Sequence, residues 1–248
     1  MLLSKHNEYT EEALAEAEVS GDMGEQILLG AKANDLCEFT NELSPFITSK
    51  EKIDRTFEKK QKCLGSIAIW QSHYGNLAAM HAMAKAQGEP APVTADELSA
   101  WFDFLNGVAL GQIRFDPDME IRDLPSPIQG QFQSHSIEFD QIFDSEEAGQ
   151  IKLRSIGMML HLIQDSYTLS HCQRNQAGEI EKFLHYGSQD KDLHKEHDDV
   201  SGQNREALVA ECSRCIKDTL IDRQAYNYGT ILALAPDCAV SDGGLCSR

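Results

Sequence analysis

Gly157-Met-Met-Leu-His-Leu-Ile-Gln-Asp-Ser-Tyr-Thr-Leu-Ser-His-Cys-Gln-Arg174 sets two histidines and an aspartate into an otherwise apolar run. His161 and Asp165 are four residues apart, so on a helix they stack on one face and can grip the same ion. His171 follows six residues after Asp165, about a turn and a half further on, and on a continued helix would serve a neighbouring ion more easily than the same one. His194 and Asp198 repeat the spacing of four. Two His-x-x-x-Asp pairs and an intervening histidine make a ligand set suited to a polynuclear zinc site, neutral imidazole and carboxylate presented from helices. A single such pair is commonly just a satisfied core or surface pair. Here the run Ile156-Gly-Met-Met-Leu-His-Leu-Ile has no solvated face, and a buried histidine beside a buried aspartate needs a partner or a cation.

Residues 145–167 read as the helix that carries the first pair. Before it, helix-forming composition covers 8–19, with His6 just ahead, then 24–36, closing near Asp35, and a long segment over 50–87 that holds both His73 and His81. Gly88-Glu-Pro-Ala-Pro breaks that segment, and Thr94-Ala-Asp-Glu97 has the form of a capping box opening a helix to about residue 111. Pro117, Pro125 and Pro127 mark 115–130 as a loop, in which Phe115, Met119 and Leu124 offer apolar groups for shallow insertion at a membrane surface. Downstream, 178–186 and 193–200 read as short helices and 205–225 as a charged one. Alternating strand patterns are scarce. The fold expected is all-α, a single multi-helix domain over residues 1–235 around a polynuclear zinc site, with a loosely ordered tail over 236–248.

The 248 residues suffice for one well-buried core. A hydrophobic share of 41% without any run of membrane-spanning length excludes a helical membrane protein. The net charge of −18 argues against a basic nucleic-acid-binding surface, though cations bound at a site would bring their own positive charge to an anionic substrate. The start Met-Leu-Leu-Ser-Lys-His lacks a basic region followed by an apolar one, so the expectation is a cytoplasmic protein or one exported by a route that reads no such signal. The seven cysteines follow no regular spacing, and Cys212-Ser-Arg-Cys215 lacks the second pair that a four-cysteine zinc site needs.

Ser72-His73-Tyr74-Gly75, His81-Ala-Met-Ala and Leu160-His-Leu-Ile-Gln-Asp-Ser-Tyr, in that order, resemble the zinc-dependent phospholipase C and single-strand nuclease superfamily, and most of all its bacterial phospholipase C branch known from pseudomonads and Legionella. The likeness is one of motifs, from His6 to about Asp199, strongest over 153–174. It implies a helical fold with two or three zinc ions. Asp165 would bridge two of them and pair with His161, while His171 opens the second site and His194 with Asp198 closes it. The resemblance further implies that His73 sits on the first zinc, that Asp35 is its ligand or the base for the attacking water, and that His6 belongs to a third zinc. Family members complete that third site with a mature N-terminal Trp, which this chain lacks.

Several histidines compete for these places. His81 reads as core or second shell beside His73, His185 and His197 compete with His194, and His135 reads as loop surface. Arg174 offers a charge for a substrate phosphate, against the commoner fate of a structural ion pair. The activity implied is hydrolysis of phosphatidylcholine-like lipids at a membrane surface to diacylglycerol and a phosphorylated head group. Asp35 and Asp165 are its candidate catalytic carboxylates. A single-strand nuclease or nucleotidase on the same zinc cluster, or a non-catalytic helical binding protein, are the alternatives. A phospholipase without a leader points to an effector with a secretion-machine or immunity partner.

Overall fold

The structure is a computed structural model that describes residues 3–33, 77–114, 123–132, 143, 145, 147–188 and 199–239. The described residues are mostly helical, with one two-stranded sheet, in keeping with the all-α expectation. The first two helices, α1 (Leu3–Glu16) and α2 (Gly21–Lys32), are followed by a 3₁₀ turn at Ala78–His81, by α3 (Ala91–Ala109) and by the single turn α4 (Ser126–Gln129). Next come α5 (Ala148–Ser166), the strands β1 (Cys172–Arg174) and β2 (Ile180–Phe183), α6 (Gln203–Ile216), which runs on as a π turn over Lys217–Ile221, and the short α7 (Pro236–Ala239).

Helix α5 is the axis of the fold. From Ser155 to Ser166 every residue is buried, so this helix is enclosed on all sides, as its apolar run requires. It packs against α1, α2, α3 and α6. The tightest of these crossings is with α2, where Gly30 and Gly157 remove the side chains between the two backbones. A Cβ on Gly157 would stand 2.0 Å from the Ile27 carbonyl oxygen, and one on Gly30 would stand 2.1 Å from that of Arg154. On α1 the buried positions His6, Tyr9, Thr10, Ala13, Leu14 and Ala17 recur every three or four residues, a stripe that faces the core. His6 is part of that stripe because the helix begins at Leu3, earlier than the helix-former composition at 8–19 suggested.

Elsewhere the elements differ from the sequence reading for local reasons. Helix α3 opens at Ala91 with Pro92 in its first turn, where a missing N–H costs nothing. Thr94 is therefore inside the helix and donates back to Glu89 Oε2 at 2.8 Å, and no capping box forms. The described end of the expected 50–87 helix is the 3₁₀ turn at Ala78–His81, stopped by Ala82 in a left-handed conformation at φ 49°. The expected helix at 178–186 is instead strand β2. Asn175 Oδ1 accepts the N–H groups of Ala177 and Glu179, Gly178 takes φ 82°, and the chain folds back so that Cys172 faces Phe183 and Gln173 faces Lys182.

Asp199 and Val200, the described end of the expected 193–200 helix, are not helical. They are held on α1, where the Tyr9 hydroxyl lies 2.9 Å from Asp199 Oδ1 and accepts the Val200 N–H at 3.2 Å. Leu124, assigned to a membrane-inserting rim, is buried at 3% exposure and belongs to the core. Residues 115–122, with Phe115 and Met119, lie outside the described residues. Among the described residues no helix is long and apolar enough to cross a membrane.

Candidate metal centre

Four imidazoles from four parts of the chain converge on one carboxylate, that of Asp165. His161 Nε2 lies 3.0 Å from Asp165 Oδ2, the contact expected of residues one helical turn apart. His81 Nδ1 lies 2.9 Å from the same oxygen and 3.0 Å from His161 Nε2. His171 Nδ1 is 3.5 Å from it. The other oxygen, Oδ1, faces His6 Nε2 at 3.4 Å. The rings of His6 and His161 stack with centroids 4.1 Å apart. All five side chains are buried.

Three of the rings donate to oxygens that can only accept. His161 Nδ1 donates to the Ala31 carbonyl at 2.9 Å, a bond made available by the close α2–α5 crossing one turn earlier. His171 Nδ1 donates to the His81 carbonyl at 2.6 Å. His6 Nδ1 donates to Gln164 Oε1 at 2.5 Å, and Gln164 is itself fixed by donating to Thr10 Oγ1 at 2.9 Å. For His6 and His161 such outer contacts set the tautomer and leave Nε2 facing Asp165, whereas His171 faces it with the same Nδ1 that donates to His81.

For His161 the consequence is specific. With its proton given to Ala31, a neutral ring presents a lone pair at Nε2 to a carboxylate oxygen 3.0 Å away. The two lone pairs call for a proton, which His81 Nδ1 can supply from 2.9 Å and 3.0 Å, or for a cation in its place. The ligating atoms of His6, His161 and Asp165 all lie within 4.8 Å of one another. Ligands at zinc distances stand roughly 3.3 Å apart around a tetrahedral ion, so the donor set and its spacing fit a metal ion.

Without a metal the histidines can hold protons instead, and although burial acts to raise the Asp165 carboxyl, the positive charge around it, that of protonated His171 foremost, holds the group well below the ordinary carboxylate range. A lowered folded value means that the ionised group stabilises the fold fully above the unfolded value of about 4, and that this contribution is lost as pH falls through the folded value. Melts of chelator-stripped protein are expected to show a gap between wild type and Asp165→Asn that closes as pH drops below about 4. A gap that widens in acid would contradict this sign.

The sequence placed His6, His161, Asp165 and His171 at the site, and the structure brings these four together. His171 arrives differently from the helical extrapolation. Helix α5 ends at Ser166, and a turn in which Thr168 O accepts the N–H groups of His171 and Cys172 swings the ring back to Asp165. His81, read as core or second shell, stands in the centre. The reading of His73 and His81 on adjacent faces of one helix assumed helix through residue 81, and the 3₁₀ turn overrides that geometry at its described end. Asp35, His73, His194 and Asp198, with His135 and His197, lie outside the described residues.

Arg174 is not placed for substrate. Its guanidinium donates to the carbonyls of Ser166 (3.1 Å), Gly178 (2.7 Å) and Ile231 (2.7 Å), and it lies 5.0 Å over the Tyr167 ring. It ties the end of α5 to the hairpin and to residue 231, through carbonyls and not through the ion pair that was the commoner expectation. Arg174→Ala is expected to lower stability by about 3 kcal/mol, since several charge-assisted bonds go at once, without changing KM. Thermal melts beside Michaelis kinetics check this, and a raised KM at unchanged melting temperature would restore the substrate role.

Cys212 and Cys215 are buried free thiols of α6, and burial pushes both upward from the ordinary thiol value, in keeping with a core role. Compared with known proteins, the chain matches no family model, no curated protein and no solved structure.

Proposed function

We propose that the chain is a zinc-dependent phosphodiesterase of the phospholipase C type. The observation that carries the metal part is the arrangement around Asp165, four imidazoles on one carboxylate with three of the rings aimed by bonds to protein acceptors. Structural ion pairs rarely need so many histidines, and a buried cluster with this donor set is the arrangement that a borderline-soft cation selects. Each Asp165 oxygen faces its own histidines, His6 on Oδ1 and the other three on Oδ2, which suits a carboxylate shared by two ions.

The phosphodiesterase part rests on the motif resemblance and on charge. Zinc, when bound, lowers the pKa of water to near neutrality and offsets negative charge on phosphoryl oxygens. The chain's own groups hold the ligands in aim: Ala31 for His161, His81 for His171, and Gln164 with Thr10 for His6. Asp35, His73, His194 and Asp198 complete the proposed set of two or three ions, with Asp35 orienting the attacking water. The net charge of −18 favours a zwitterionic lipid over a polyanionic nucleic acid.

The test is elemental analysis of protein purified without chelator, run beside turnover of phosphatidylcholine vesicles and of single-stranded DNA. Two or three zincs per chain with lipid turnover, both abolished by chelation, are the expected result. Turnover of DNA instead assigns the same centre to a nuclease, zinc without turnover leaves a binding protein, and protein without metal overturns the proposal.

A further inference from the structure

Asp165 and His171 reach the metal centre on two different parts of the structure. Asp165 rides on α5, which packs against other helices. His171 rides on the hairpin, since its carbonyl accepts the Leu184 N–H at 2.8 Å just beyond β2, and β2 packs on α3 and α7. Their contact, His171 Nδ1 to Asp165 Oδ2 at 3.5 Å, is therefore only as well fixed as the hairpin is to the end of α5.

Arg174 supplies that link. It follows His171 on β1, and its guanidinium reaches back to the residue after Asp165, donating to the Ser166 carbonyl at 3.1 Å and to the Ser166 hydroxyl at 3.3 Å. The chain from Ser166 to Arg174 is thus a loop closed at its neck by one side chain, with Asp165 just outside the neck and His171 inside the loop. A carbonyl in the last turn of a helix has no partner within the helix, and the dipole there favours a cation. The same guanidinium holds Gly178 in the hairpin turn at 2.7 Å, and Ile231 at 2.7 Å, close to the Ala233 carbonyl that accepts the Ile180 N–H of β2. A planar fork can span three segments in this way, which the single nitrogen of a lysine cannot.

We propose that Arg174 is a positioning residue of the metal centre: by clasping Ser166 it holds the hairpin at the end of α5 and so keeps the His171 ring on Asp165. That the aimed ring is a metal ligand rests on the metal reading; that Arg174 aims it does not. The guanidinium bonds to none of the five side chains of the centre, so its effect on them runs through the backbone.

Arg174→Lys keeps the charge and loses the fork, and Arg214→Lys is the matched control. Arg214 likewise donates to a carbonyl, that of Asn227 at 2.9 Å, and lies 4.7 Å over the Tyr226 ring, but none of its bonds reaches the 166–174 loop. Two readouts are taken on the full chain. One is hydrogen exchange, in metal-free protein, of the His171 and Cys172 amides, which donate to the Thr168 carbonyl at 3.2 and 3.0 Å. The other is titration with cobalt(II), followed by the visible absorption of the bound ion. Arg174→Lys is expected to speed exchange of the two amides by about tenfold more than it speeds those of α3, which report lost stability alone. It is also expected to weaken cobalt by about tenfold or more, the loss typical when a contact that aims a ligand goes. Arg214→Lys should lower the melting temperature and move neither readout. Arg174→Lys in which the two amides speed up no more than those of α3, or in which cobalt binds as in wild type, would overturn the proposal, as would Arg214→Lys moving both readouts as far. Wild-type protein that takes up no cobalt would instead end the metal reading, and the amide exchange would still decide whether Arg174 places His171.

Discussion

Asp165→Asn is expected to empty the metal centre and to remove turnover by at least about 1,000-fold, more than the 10- to 100-fold typical of losing an outer-shell contact. The substitution keeps the shape of the side chain and removes the charge. All four imidazoles lie within 3.5 Å of the two oxygens of this residue, so one change reaches every described ligand. An amide nitrogen in place of either oxygen would also point N–H donors at histidines whose inward atoms must accept a cation. A metal bound there would brace α1, the 3₁₀ turn, α5 and the turn before β1 together, so its loss should lower the melting temperature of the as-purified protein too. Zinc content, turnover and melting temperature read on one preparation check this. Full zinc in the variant would show that Asp165 is not the hub, whatever the activity.

The hub was legible as a pair and illegible as an assembly. His161 and Asp165 could be read because both lie on one uninterrupted helix, and the apolar residues around them announced its burial. The helical period then fixed their relation without any knowledge of the rest of the fold. His171 was legible as a neighbour of the pair but not in its direction, because its direction depends on where α5 stops, and that is decided by backbone bonds of Thr168 that leave no pattern in the sequence.

His81 was illegible for a related reason. Its place follows from a 3₁₀ turn and a left-handed alanine, both imposed by packing against local helix propensity. The hairpin at 172–183 was missed because strands this short carry too few residues to show a period, although Asn175 and Gly178 were the turn residues that could have found it. Arg174 shows the opposite error, a charged residue near a site read toward substrate when three backbone carbonyls already held it.

Gly157→Ala is the substitution expected to damage the fold most for its size. On propensity alone, alanine in a helix interior gains up to about 1 kcal/mol over glycine. Against this, the added carbon would stand 2.0 Å from Ile27 O and 2.5 Å from Ala31 N, distances that no Cβ tolerates and that backbone atoms cannot relieve by rotating a side chain. The helices must part, and the cost of such overpacking, about 3 kcal/mol, exceeds the propensity gain. The net loss is about 2 kcal/mol, and at roughly 2–4 °C per kcal/mol for a chain of this size the melting temperature should fall by about 4–8 °C. Parting α2 from α5 also lengthens the bond from His161 to Ala31, one turn along, so metal affinity should fall with stability although no ligand has been touched. Gly149→Ala on the same helix is the control of opposite sign, since nothing lies within 4 Å of its new carbon and only the propensity gain remains. Paired thermal melts and zinc titrations of the two variants decide the matter. If Gly157→Ala melts no lower than Gly149→Ala, α2 and α5 do not meet through their glycines, and the account of how His161 is aimed at Asp165 falls with that contact.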